Sequence, residues 1–145
     1  MKTAGIRISD SRDNVLDVRL ADILEEIQNG SLMSWCILFL DGMPNPGEGK
    51  SLADLQNKIN KSENGLHVTW NDIRFIEKKF FQIYETVISG CGDDKFLHRY
   101  KDDQLMYQSC DIVIDLVDCA FWEVYSKDPK LIDRLKSKFQ ETEDV

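Results

Sequence analysis

Three prolines, eight glycines and two histidines are all that 145 residues hold of these types, and each scarcity removes a class of protein. With 42% apolar and 30% charged residues beside so little proline and glycine, the chain is not a disordered or low-complexity one. His67 and His98 have no Cys, Asp or Glu set at the spacing of a zinc motif. Cys36, Cys91, Cys110 and Cys119 form no CxxC pair and read as reduced thiols, Cys36 acting as a small hydrophobe inside an apolar run. No metal and no cofactor is expected.

Long apolar stretches are missing too. The N-terminal MKTAGIRISDSRDN contains no hydrophobic leader. The longest uncharged apolar run, Met33 to Leu40, falls far short of the roughly 20 residues of a spanning helix. A cytosolic protein is expected. Catalytic signatures are equally scarce, for the chain has no GxSxG elbow, GxGxxG turn or HExxH helix. Its nearest approach to a phosphate loop, Gly42 to Ser51, has the wrong spacing before its Lys, and Pro44 and Pro46 remove backbone donors that a phosphate cradle needs. Paired acids at Asp93-Asp94 and Asp102-Asp103 could hold magnesium, and a glycosidase-like carboxylate pair could come from anywhere in the chain. A small hydrolase therefore stays as an alternative, but no catalytic residue is assigned.

What is abundant is negative charge. The formal net charge is −8, spread as −3 over residues 1–50, zero over 51–100 and −5 over 101–145. Such a chain repels phosphate backbones and anionic membrane surfaces, so direct nucleic-acid or membrane binding is not expected.

At this length one domain spanning residues 1–145 is expected, burying about 68–70% of its unfolded surface. Leu20, Ile23, Leu24 and Ile27 trace one face of a helix that Gly30 would end in a left-handed turn. Met33 to Leu40, between turn formers, reads as the central strand, and Asp41 to Lys50 as an irregular loop. Ser51 opens a second helix that Asn64-Gly65 closes, and residues 66–68 are extended. Thr69 with Asp72 caps a third helix, which the spacing of Ile73, Ile76, Phe80, Ile83 and Val87 carries to about Ser89. Residues 91–108 form a polar connection with a helical turn or two, anchored by Phe96, Leu97 and Tyr100.

The segment after Cys110 is ambiguous, since Asp111, Asp115 and Asp118 could also share a helical face. Its β-branched and aromatic residues favour strands over 111–117 and 121–125 joined by a turn at 118–120. Asp111 and Asp115 would then share a face with Val113 and Val117, opposite Ile112, Ile114 and Leu116. A final helix starts at Pro129 with Leu131, Ile132, Leu135 and Phe139 as its buried stripe, and the tail 141–145 is expected to fray. The fold class is α+β, a small, mainly antiparallel sheet with several packed helices.

Between Asp102 and Glu123 no Lys or Arg occurs, while six acids do. Asp102, Asp103, Asp111, Asp115, Asp118 and Glu123, with Tyr107 and Trp122 as aromatic anchors, are the candidate partner-binding residues. Carboxylates steer and pair with Arg and Lys, and buried rings supply the tight contacts of an interface.

The layout of SLMSWCILFLDG (31–42) early and DIVIDLVDCAFWEVYSKD (111–128) late, followed by a last helix, resembles the small immunity proteins of bacterial polymorphic toxin systems, including contact-dependent growth inhibition. The resemblance implies a non-catalytic module that binds and neutralises a basic, nuclease-like toxin domain, with a monomer favoured. The competing expectation is a regulatory or scaffolding subunit that self-associates through Phe75, Phe81 and Tyr84.

Overall fold

Alternation of apolar and polar residues sets the strands. In Ala4–Ile8 (β1) Ile6 and Ile8 are fully buried on one face, and Arg7 between them reaches the other. The computed structural model describes residues 2–145. After β1 come a hairpin of Ser11–Arg12 (β2) and Val15–Leu16 (β3), helix Leu20–Leu24 (α1), strand Ser34–Pro44 (β4) and helix Gly49–Lys61 (α2). Leu66–Val68 (β5), Trp70–Glu77 (α3), Phe80–Cys91 (β6) and Asp103–Ser109 (α4) follow. The chain closes with Ile112–Val117 (β7), Phe121–Ser126 (β8), Pro129–Lys138 (α5) and Thr142–Asp144 (β9).

Seven strands make one antiparallel sheet in the order β5-β4-β6-β7-β8-β1-β9, and the fold is α+β. One sheet face presents Trp35, Ile37, Ile88, Ile112, Ile114, Leu116, Trp122 and Val124 to side chains of α1, α2, α3 and α5. Each fully buried Ile there contributes about 1.5–3 kcal/mol relative to exposure. The other face carries a smaller cluster, in which Cys36, Leu38 and Val113 lie against Leu97, Met106, Tyr107 and Cys110. Among the described residues that cover comes from α4, the segment leading to it and the turn at residues 64–65, and Phe39, Asp115 and Val117 on the same face keep solvent exposure.

The two strands expected over 111–125 form as a hairpin, with Asp115 opposite Glu123. The Thr69–Asp72 capping box also forms, each side chain bonding the other's backbone N–H at 3.1 and 2.9 Å. Other expectations are corrected. The helix predicted to reach Ser89 ends at Glu77, and Phe80–Cys91 is instead the longest strand. A strand with neighbours on both edges and partial cover on both faces can mimic three- and four-residue spacing. Thr86, Val87 and Ile88 are better strand formers than helix formers.

Strand β4 is not central: it lies one place from the sheet edge, β7 takes the middle, and β4 runs on through irregular pairing to Pro44 where a loop was expected. Gly30 does not end α1 in a left-handed turn. A Cβ there would lie 2.4 Å from the Trp70 ring, so close approach is what requires glycine. The tail does not fray, for residues 142–144 pair with β1 and Lys136 bonds Asp144 at 2.7 Å. All four cysteines are free, and Cys36, Cys91 and Cys110 are buried. Among the described residues no helix is long and apolar enough to cross a membrane.

Candidate functional site

The open part of the second sheet face is built by register. Phe39 pairs with Val87, Val87 with Asp115, Asp115 with Glu123, Glu123 with Arg7 and Arg7 with Glu143, so one row of side chains crosses six strands. Beside it Asp41 pairs with Glu85 and Val117 with Phe121. The row begins apolar and becomes charged toward β1.

Within the row two carboxylates have different fates. Glu123 is 8% exposed and fully engaged: Arg7 Nε and Nη2 donate to its Oε2 at 2.8 and 2.6 Å, and the Tyr125 hydroxyl donates to Oε1 at 2.8 Å. Charge-assisted bonds of this kind fix the anion in place. Arg7 also reaches Glu143 at 3.2 Å and lies over the Phe121 ring at 4.2 Å. Asp115 has one neutral donor, the Tyr107 hydroxyl at 3.2 Å. Burial pushes its carboxyl up to about 6 against that bond, helped by the negative fields of Glu123, Asp103 and Glu85.

The two tyrosines close the upper edge of the patch. Tyr107, from α4, stacks on Tyr125 with ring centroids 3.7 Å apart and planes 8° from parallel. Burial first, then the adjacent acids, pushes both phenols well above their usual range, so each hydroxyl is a fixed donor. At the opposite edge the β7–β8 turn brings Asp118 near Asp41 and Glu85, and all three fields act on the Cys119 thiol.

The sequence-predicted residues divide. Asp103, Tyr107, Asp115 and Glu123 gather on the open face, and Asp118 joins them from the hairpin turn. Trp122 does not: it is 1% exposed on the opposite face and donates its indole N–H to the Val18 carbonyl at 2.8 Å, as a core residue does. As an exposed partner anchor it is withdrawn. Tyr107, 8% exposed, acts through its hydroxyl and ring edge rather than as a protruding anchor. Glu123, expected as a free acid, is already paired.

Asp111 sits at the far end of β7, accepts from the Gly92 N–H at 2.8 Å and lies 3.8 Å from Lys127. Asp102 caps α4 by accepting from the Gln104 N–H at 2.8 Å. Sequence reasoning missed Arg7, Phe39, Asp41, Glu85 and Glu143. The alternation Ile6-Arg7-Ile8 was a legible strand signal that would have placed Arg7 on a half-open face.

This surface can do three things chemically: accept cationic donors at Asp115, Asp118, Glu85, Asp41 and Asp103, offer apolar contact at Phe39, Val117 and Phe121, and take up a proton at Asp115. The two deeper recesses lie elsewhere, one against α3 and the β2–β3 hairpin and one between α5 and the turn before β4. Among the described residues no group of three or more His, Cys, Asp or Glu is placed to hold a metal ion. The chain matches no protein-family model, and comparison with curated proteins and with solved structures finds no match.

Proposed function

We propose that the open sheet face docks a basic protein surface, and that the chain is an immunity-type inhibitor neutralising a basic, nuclease-like toxin domain. The observation that carries this reading is the row from Phe39 to Glu143 with its flanking acids. Asp41, Glu85, Asp103, Asp115 and Asp118 surround apolar side chains, and Arg7, the cation within the row, is already bound to Glu123. A nuclease binds phosphate through clustered cations, and a rigid sheet carrying carboxylates offers those cations an alternative partner at little ordering cost.

The test is rescue of growth. A toxin domain from a secreted protein encoded beside this chain is expressed with it, and cells survive with the wild-type chain. They die with a Glu85→Gln, Asp115→Asn, Asp118→Asn triple variant that folds normally. Killing that the wild-type chain never relieves, or rescue indifferent to the three substitutions, rejects the reading.

Self-association is the second reading, supported by the exposure of Phe75 and Phe81, 64% and 60%. These belong to a short helix and a strand rather than to one aromatic helix. A concentration-dependent dimer lost on Phe75→Ser and Phe81→Ser would favour it.

A further inference from the structure

The recess against α3 holds a carboxylate that nothing in the fold uses. Glu77 ends α3 and is 9% exposed, yet among the described residues it has no hydrogen-bond donor and no salt bridge. Three costs fall on it at once: it is partly desolvated, it stands at the negative end of a helix, and it lacks a partner. Arg19 supplies the larger positive field at Glu77, but its Nη2 donates to the Phe80 and Phe81 carbonyls at 3.4 and 3.3 Å. Lys78 is exposed and forms no ion pair with Glu77, though its field also acts there.

Around Glu77 the recess is mainly apolar, with Asp17, Arg19 and Gln82 as its polar lining. Leu16, Val18, Phe80, Phe81, Ile83 and Leu116 line a space of about 290 Å³. That volume lies at the small end of ligand cavities, which run from roughly 300 to 1,000 Å³. It suits one ring or a short branched chain and is too small for a nucleotide or a folded peptide.

A cation brought to Glu77 would relieve all three costs, and an apolar body attached to that cation would displace water from the walls. Phe80 and Phe81 add faces over which a positive charge is attracted. We propose that this recess is a binding site for a small primary ammonium compound with a compact apolar body, with Glu77 as its counter-ion. The site is on the other side of the sheet from the acidic patch and does not depend on the inhibitor reading.

Phenethylammonium is the probe and phenethyl alcohol its neutral control, followed by amide NMR of the full chain. Saturable shifts are expected at residues 15–20 and 77–83 and at the Trp122 indole N–H. Glu77→Gln should weaken phenethylammonium at least tenfold and leave phenethyl alcohol unchanged, and Leu16→Trp, which fills the mouth, should remove both. The proposal fails if phenethylammonium gives no saturable shifts by about 10 mM, a level that detects even binding of ~3 kcal/mol. Equal affinity of the wild type and a folded Glu77→Gln chain also overturns it, as does unchanged binding by Leu16→Trp.

Discussion

Asp115 and Glu123 face each other across β7 and β8, yet Arg7 donates two bonds to Glu123, one to Glu143 and none to Asp115. One carboxylate is held by a guanidinium and a phenol, and its neighbour is left with a single phenol donor. The pair therefore separates into a structural acid and an available one, and the difference is measurable.

Asp115 is expected to make the fold less stable as pH rises through 6. Its carboxyl is pushed up to about 6 in the folded chain from a usual 3.8, so the folded state holds the proton more tightly than the unfolded one. The stabilising term is complete below about pH 4, declines as pH rises through 6 and is gone above it, a span of about 2 kcal/mol after allowance for partial exposure. Asp115→Asn keeps an acceptor for Tyr107 and should remove this slope while raising the melting temperature at pH 7 by several degrees. Thermal melts at pH 4.5, 6 and 7.5 would check it, and an unchanged slope would contradict it.

Arg7 and Glu123 should behave as one unit. Arg7→Met leaves a carboxylate that is 8% exposed with only Tyr125 as donor. The loss should be about 2 kcal/mol, less than the 3–5 of a fully buried pair because the Arg7 side chain is 36% exposed. Adding Glu123→Gln should restore most of that loss. A double-mutant cycle in urea measures the coupling, and additive losses would show that the pair is no stronger than an ordinary surface bridge.

Trp122 separates the core from the docking face. Trp122→Phe removes the bond to the Val18 carbonyl and leaves that carbonyl without its donor, so a loss of about 1–3 kcal/mol is expected. Affinity for a partner on the open face should not change. Denaturation and binding measured on the same variant would distinguish this from an anchor role, in which affinity falls more than stability.

How far these positions were legible follows from what each signal encodes. Ile112, Ile114 and Leu116 alternate with Val113, Asp115 and Val117, and period two determines the faces without any tertiary knowledge. The face of Trp122 followed from the same alternation, since it pairs with Leu116, but reading it for its aromatic type rather than its register put it on the surface. Arg7 is 116 positions from Glu123, and no local pattern reports such a pairing. Phe80 to Cys91 misled because spacing was weighed above the β-branched run at its centre. The recess at Glu77 was invisible for the same reason: a helix drawn through residue 77 to Ser89 leaves no helix end there for a carboxylate to oppose.

The β7–β8 turn should show stability and binding pulling apart. Asp118 and Cys119 both have positive φ, 48° and 58°, and the Ala120 N–H donates to the Val117 carbonyl at 2.8 Å. This is the mirror-image hairpin turn in which Asn-Gly is preferred, because a side chain in the left-handed region is strained. Replacing Asp118-Cys119 by Asn-Gly should add about 1 kcal/mol of stability. The same change removes the negative charge that Asp118 adds beside Asp41 and Glu85, so partner association should slow, chiefly at low salt. Stability from urea titration and association rate from stopped flow, each on this double variant, would test the two effects separately. A variant that is both more stable and equally fast to associate would show that Asp118 is a turn residue alone.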